Sequence, residues 1–162
     1  TSTGAITTRM SSGMPDLTGL SISDVATATN VTLAADTISV INYTGAAAAT
    51  MTLPAATAGT IVVYCQSKDT TGGTATLVFD AAGSDVWATG SVIESRGSSE
   101  VTFDTSAAGE TKLTFTPANA ATNLLTTGGQ IAFICYEDAT WHIATKLAAE
   151  TTQVTGAFVF AA

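Results

Sequence analysis

The sequence predicts an all-β fold: an antiparallel β-sandwich or jelly-roll-like single domain with an extended N-terminal arm. Three observations predict it. Short runs rich in β-branched and aromatic residues recur at about 8- to 15-residue spacing. Gly, Asp, Asn and Pro, the residues that make turns, stand between the runs. No stretch sustains a 3.6-residue period; AATAG (55–59) and ANAATNLL (118–125) offer a turn or two each. The chain has 162 residues, enough for one domain that buries roughly 70% of its unfolded surface without a disulfide or metal.

Residues 1 to about 28 are rich in Thr, Ser and Gly and read as the arm. Met10, Met14, Leu17, Leu20 and Ile22 are its docking side chains, onto a neighbour or onto its own subunit. The sandwich domain occupies 29–162. Its runs begin with NVTLA (30–34) and DTISVINY (36–43). ATMTLP (49–54) follows and stops at Pro54, which has no N–H for a ladder. Next come GTIVVYCQ (59–66), TATLVFD (74–80), DVWATGSVIE (85–94), SEVTFD (99–104) and ETKLTFT (110–116). GQIAFICYE (129–137), TWHIATKL (140–147) and QVTGAFVF (153–160) complete the set.

Two runs share the pattern G-x-I-x-(V/F)-x-C: Gly59 to Cys65 and Gly129 to Cys135. Side chains alternate along a strand, and here both faces are apolar. Such strands are buried on both sides, at the centre of the fold or at a subunit contact. The chain closes on Ala157-Phe158-Val159-Phe160-Ala161-Ala162. An apolar strand of this kind is an aggregation hazard in solvent. It therefore pairs into a sheet, its own or a neighbour's, and Phe158, Val159 and Phe160 are candidate interface residues together with Met10 and Met14.

Apolar residues make up 46% of the chain and charged residues only 11%, against about 25% charged in a typical soluble protein. Thr, Ala, Ser and Gly fill the gap. So neutral a surface points to burial between subunits. The formal net charge is −8, and the five bases are scattered, at Arg9, Lys68, Arg96, Lys112 and Lys146. Without a basic cluster, neither nucleic acid nor an anionic membrane is an expected partner. The start carries no basic and apolar leader, and its first Thr reads as a chain that has lost its initiator Met. With no run of 18 apolar residues and no closely spaced cysteine pair, a protein made in a reducing cytosol is expected. The sequons at Asn30 and Asn42 are then chance.

Signals for chemistry are few. The single histidine, His142, follows Trp141 in a strand, so the two side chains point to opposite faces. One histidine makes no two-His metal site, and no G-x-S-x-G elbow accompanies it. Cys65 and Cys135 lie in apolar strands without basic neighbours, as small buried hydrophobes or as a disulfide if their strands are adjacent. Asp80, Asp85, Asp104, Glu110, Glu137 and Asp138 fall at strand ends, where acids make turns. A loop calcium site at Asp80 or Asp85 has no EF-hand spacing behind it. No nucleotide-binding motif is present. No catalytic residue, metal or cofactor is expected. Trp87, Trp141 and the tyrosines are either core anchors or a sugar-stacking platform.

From about Thr50 to Lys146, three stretches carry a resemblance. They are TLPAATAGTIVVYC (52–65), TLVFDAAGSDVWATGSVIE (76–94) and GQIAFICYEDATWHIATK (129–146). They resemble β-modules of tailed-phage virion proteins, among them head decoration proteins and head or tail fibres. In those modules a T-L-P strand end precedes a Gly-led apolar strand. An AGSD hairpin follows, and a Gly-led strand with a Trp hairpin closes the module. The resemblance covers about 60% of the chain and carries no catalytic residues. It implies a β-sandwich displayed on a virus particle, homotrimeric, synthesised in the host cytoplasm and bound to the major capsid protein. Absence of a long fibre shaft favours a capsid decoration, or cement, protein. The alternative is a receptor- or glycan-binding module of a fibre tip or head fibre, with Trp87 and Trp141 as stacking residues.

Overall fold

The computed structural model describes residues 21–25, 30–68, 70, 75–96, 101–116, 129–144 and 158–162. All regular structure among them is β. The strands are β1 (Ser21–Val25), β2 (Asn30–Thr32), β3 (Thr37–Ile41), β4 (Ala49–Thr52), β5 (Ile61–Gln66), β6 (Leu77–Asp80), β7 (Val86–Trp87), β8 (Val92–Arg96), β9 (Val101–Thr105), β10 (Lys112–Phe115), β11 (Gln130–Glu137), β12 (Thr140–Ile143) and β13 (Phe158–Ala161). Most lie inside the runs expected from sequence. DVWATGSVIE is split by a turn at 88–91 into β7 and β8. Residues 21–25, within the bounds of the expected arm, form β1 and pair with β3. Residues 1–20, including Met10 and Met14, lie outside the described residues.

Two larger sheets and a hairpin make up the architecture. One sheet has six strands in the order β1-β3-β5-β11-β12-β7, the other five in the order β13-β10-β6-β4-β2, and β8 pairs with β9. The all-β sandwich is as expected, with one correction: the sheets are mixed, not antiparallel. β1, β3 and β5 are parallel neighbours, and so are β2, β4 and β6. Successive strands from β1 to β6 alternate between the sheets, so the chain runs as a flattened coil. A strand that returns to the same sheet after one crossing out and one crossing back points the same way as its predecessor, which makes the pairing parallel. The C-terminal half is mainly antiparallel, although β7 and β12 pair in parallel. β10 lies between β6 and β13, and β11 between β5 and β12.

Strand periodicity builds a single core between the sheets. In β3, β4, β6 and β10 burial alternates strictly, so every second side chain points inward. An unbroken line of rings crosses that core. Tyr64 meets Phe79 at 5.0 Å, Phe79 meets Phe133 at 5.2 Å, Phe133 meets Trp87 at 5.5 Å, and Trp87 meets Phe160 at 5.8 Å. The line passes from sheet to sheet and joins both halves of the chain. Each ring pair adds about 0.5–1.5 kcal/mol beyond its buried area.

Candidate functional site

The expected interface residues of β13 are divided by the structure. β13 pairs with β10 of its own sheet, the first of the two arrangements expected from sequence. Phe158 and Phe160 are buried, and Phe158 packs on Phe115 at 5.0 Å. They are core residues and not interface residues, because strand alternation turns both inward. Val159, between them, faces out and is exposed, as is Phe103 on the adjacent hairpin. The expected stacking tryptophans need the same correction. Trp87 and Trp141 are 1% and 0% exposed, so neither can offer a ring face to a sugar. They sit opposite each other in the β7–β12 ladder with both side chains turned inward.

The cysteines are free, Cys65 half-buried and Cys135 buried. Their strands are adjacent, as a disulfide would need, but Cys65 stands opposite Gln130. Cys135 is five residues further along β11, roughly 17 Å away at the usual strand rise, too far to bridge. Burial pushes the Cys135 thiol up from its ordinary value, and its Sγ–H donates to the Glu137 carbonyl at 2.9 Å. Asp85 is committed to structure: its Oδ2 accepts from the Ala56 N–H at 2.6 Å. Among the described residues no cluster of three or more His, Cys, Asp or Glu side chains could hold a metal ion.

At one end of the core a polar network takes the place of apolar packing. The Tyr64 hydroxyl donates to Gln66 Oε1, and Gln66 Nε2 donates to the Tyr43 carbonyl at 2.7 Å and to the Lys68 carbonyl. The Tyr43 hydroxyl donates to the Ala75 carbonyl. Burial pushes Tyr43 up to about 12 and Tyr64 further up. These phenols stay protonated donors, as their carbonyl and amide acceptors require.

Two surface features are built from β5, β11 and their neighbours. The first is the outer face of the six-stranded sheet. Register places Ile22, Ile38, Val63 and Ala132 in one row across β1, β3, β5 and β11. Val40 and Cys65 stand side by side in a second row, and Ile61 and Ile134 in a third. Ile22 is exposed, Val63 is buried, and the others are half-buried. This is the second apolar face of the G-x-I-x-(V/F)-x-C strands, and β5 and β11 are the two central strands of that sheet.

The second is a cleft of about 340 Å³ lined by residues 89–92, Tyr136 and residues 142–144. Its floor is the end of β12, and one wall is the β7–β8 turn. That turn closes through a hydrogen bond from Ser91 N to Ala88 O at 3.0 Å. Its third residue, Gly90, has φ of 83°, the left-handed value that a type II turn reserves for glycine. The buried Ser106 braces it: its Oγ accepts from Ser91 N at 3.0 Å and donates to Ala88 O at 2.5 Å. On the other side Tyr136 is 66% exposed, and its ring meets the His142 imidazole edge-on at 4.9 Å. His142 Nε2 is shut from solvent and has no hydrogen-bond partner among the described residues. Sequence reasoning offered Tyr136 only as one of the tyrosines of a core or a stacking platform, though strand alternation in β11 carried the signal that sets it apart. Ile131, Phe133 and Cys135 face in, so Tyr136 falls on the outward side with Ala132 and Ile134.

The fold and its surfaces define an all-β two-sheet protein with an apolar outer sheet face and a small aromatic cleft. Comparison with protein-family models, curated proteins and solved structures finds no match to this chain.

Proposed function

We propose that the chain is a non-enzymatic structural protein of a virus particle, a phage capsid decoration protein that binds the major capsid protein on the outer shell and stabilises it. The observation that carries this reading is the outer face of the six-stranded sheet. Ile38, Val40, Ile61, Val63 and Ile134 form aliphatic rows across β3, β5 and β11, with Asp24 of β1 standing next to Val40 at the edge of one row. Half-buried aliphatic rows on a sheet gain about 25 cal/mol per Å² when a partner covers them. The low charge of the whole chain and the resemblance of residues 50–146 to phage virion modules support the same reading. A homotrimer is the assembly state proposed, with that face or the exposed Val159 and Phe103 at its contacts.

Light scattering on the purified chain, followed by binding to capsids that lack it, tests the proposal. A trimer that attaches to such capsids is expected. The double variant Ile38→Lys, Ile134→Lys should fail to attach while keeping its β circular dichroism. A monomer that never attaches would refute the reading. A fibre-tip receptor-binding module is the second reading, favoured by the exposed Tyr136 beside the cleft.

A further inference from the structure

We infer that the cleft between the β7–β8 turn and the end of β12 is a binding site for a neutral saccharide, with Tyr136 as its stacking residue. Chemistry of the lining selects the ligand class. Among the described residues the lining, 89–92, Tyr136 and 142–144, includes no Lys, Arg, Asp or Glu, so no described side chain there offers an anion or a cation a counter-charge. Hydroxyls of Thr89 and Ser91 and the Tyr136 phenol supply hydrogen-bonding groups. The Tyr136 ring, Val92 and Ile143 supply apolar surface. A pyranose presents that same pairing, hydroxyls around its edge and an apolar C–H face that packs on an aromatic ring. The volume of about 340 Å³ lies at the small end of the ~300–1,000 Å³ range of small-molecule sites, which suits one sugar ring or the end of a short glycan.

The walls are prepared before any ligand arrives. Ser106 holds the β7–β8 turn by side-chain and backbone hydrogen bonds to residues 88–91. His142 props the Tyr136 ring edge-on. A pre-formed site loses less freedom on binding. His142 Nε2 is buried without a hydrogen-bond partner among the described residues, a rare state because each such atom is costly. This site stands on the cleft alone and not on the assembly reading.

The test uses the intact chain with glucose, galactose, N-acetylglucosamine, maltose and lactose as probes, followed by saturation-transfer difference NMR. Saturable binding of at least one of them in the millimolar range is expected for so small a contact. Tyr136→Ala should weaken it about tenfold or more, and Tyr136→Trp should preserve it, both with unchanged circular dichroism. Binding that survives Tyr136→Ala undiminished overturns the site, as does failure of all five sugars to bind saturably. Neither readout depends on particle mass or capsid attachment, so failure here and failure of the assembly reading are separate results.

Discussion

Asp85 shows how a single side chain can hold two distant loops. Its carboxylate accepts the Ala56 N–H at 2.6 Å in a buried setting, and its own N–H donates to Ala82 O. Asp85→Ala would leave that amide without an acceptor, at a cost of about 1–3 kcal/mol. Asp85→Asn keeps an acceptor oxygen and should cost less. Urea unfolding of the two variants measures the difference. Ala139, in the β11–β12 turn, has φ of 64°, where a Cβ is strained. Ala139→Gly relieves the strain but adds unfolded-state freedom, for a net gain of roughly 0.5 kcal/mol. Tyr43 and Tyr64 give a pH dependence with a definite sign. Their folded values lie above the ordinary 10, so above pH 10 the unfolded chain releases protons that the folded chain keeps. Stability is whole below pH 10 and falls as pH rises toward about 12. Thermal melts across that window should show the decline, and Tyr43→Phe should flatten part of it.

At the scale of elements, β13 is the strand whose role the structure settles. It forms an edge of the five-stranded sheet, and its two phenylalanines fill the core. On its outer side Asp104 of β9 accepts the Phe160 N–H at 2.6 Å. That occupies an edge donor that could otherwise recruit another chain. Deleting residues 155–162 should therefore unfold the protein, seen as lost near-UV circular dichroism, and not merely dissociate an assembly. Asp104→Ala should leave the fold intact and raise aggregation on prolonged incubation, read by light scattering. Strand positions were legible in sequence because β-branched runs and turn residues are local signals. The split of DVWATGSVIE was harder to read. Its turn rests on Gly90 and on Ser106, fifteen residues beyond Ser91, and only folding brings the brace to the turn.

The whole molecule joins a coiled parallel half to a mainly antiparallel half through one core. Phe133 is the hinge of that union, touching Phe79 from the first half and Trp87 at the start of the second. Phe133→Ala should cost about 3–5 kcal/mol. The halves should still unfold together in one transition, seen as coincident fluorescence and circular dichroism curves. The sequence by itself determined the β class, most strand positions and the two-faced apolar character of β5 and β11. Those follow from residue type and a two-residue period, which act locally. Tertiary structure alone decided that strands β1 to β6 alternate between sheets and pair in parallel. It decided that Trp87, Trp141, Phe158 and Phe160 turn inward, and that Tyr136 stands beside a cleft. Sheet partners and inward faces depend on which runs meet across the core, and hydrophobic runs of similar composition satisfy many pairings until packing selects one.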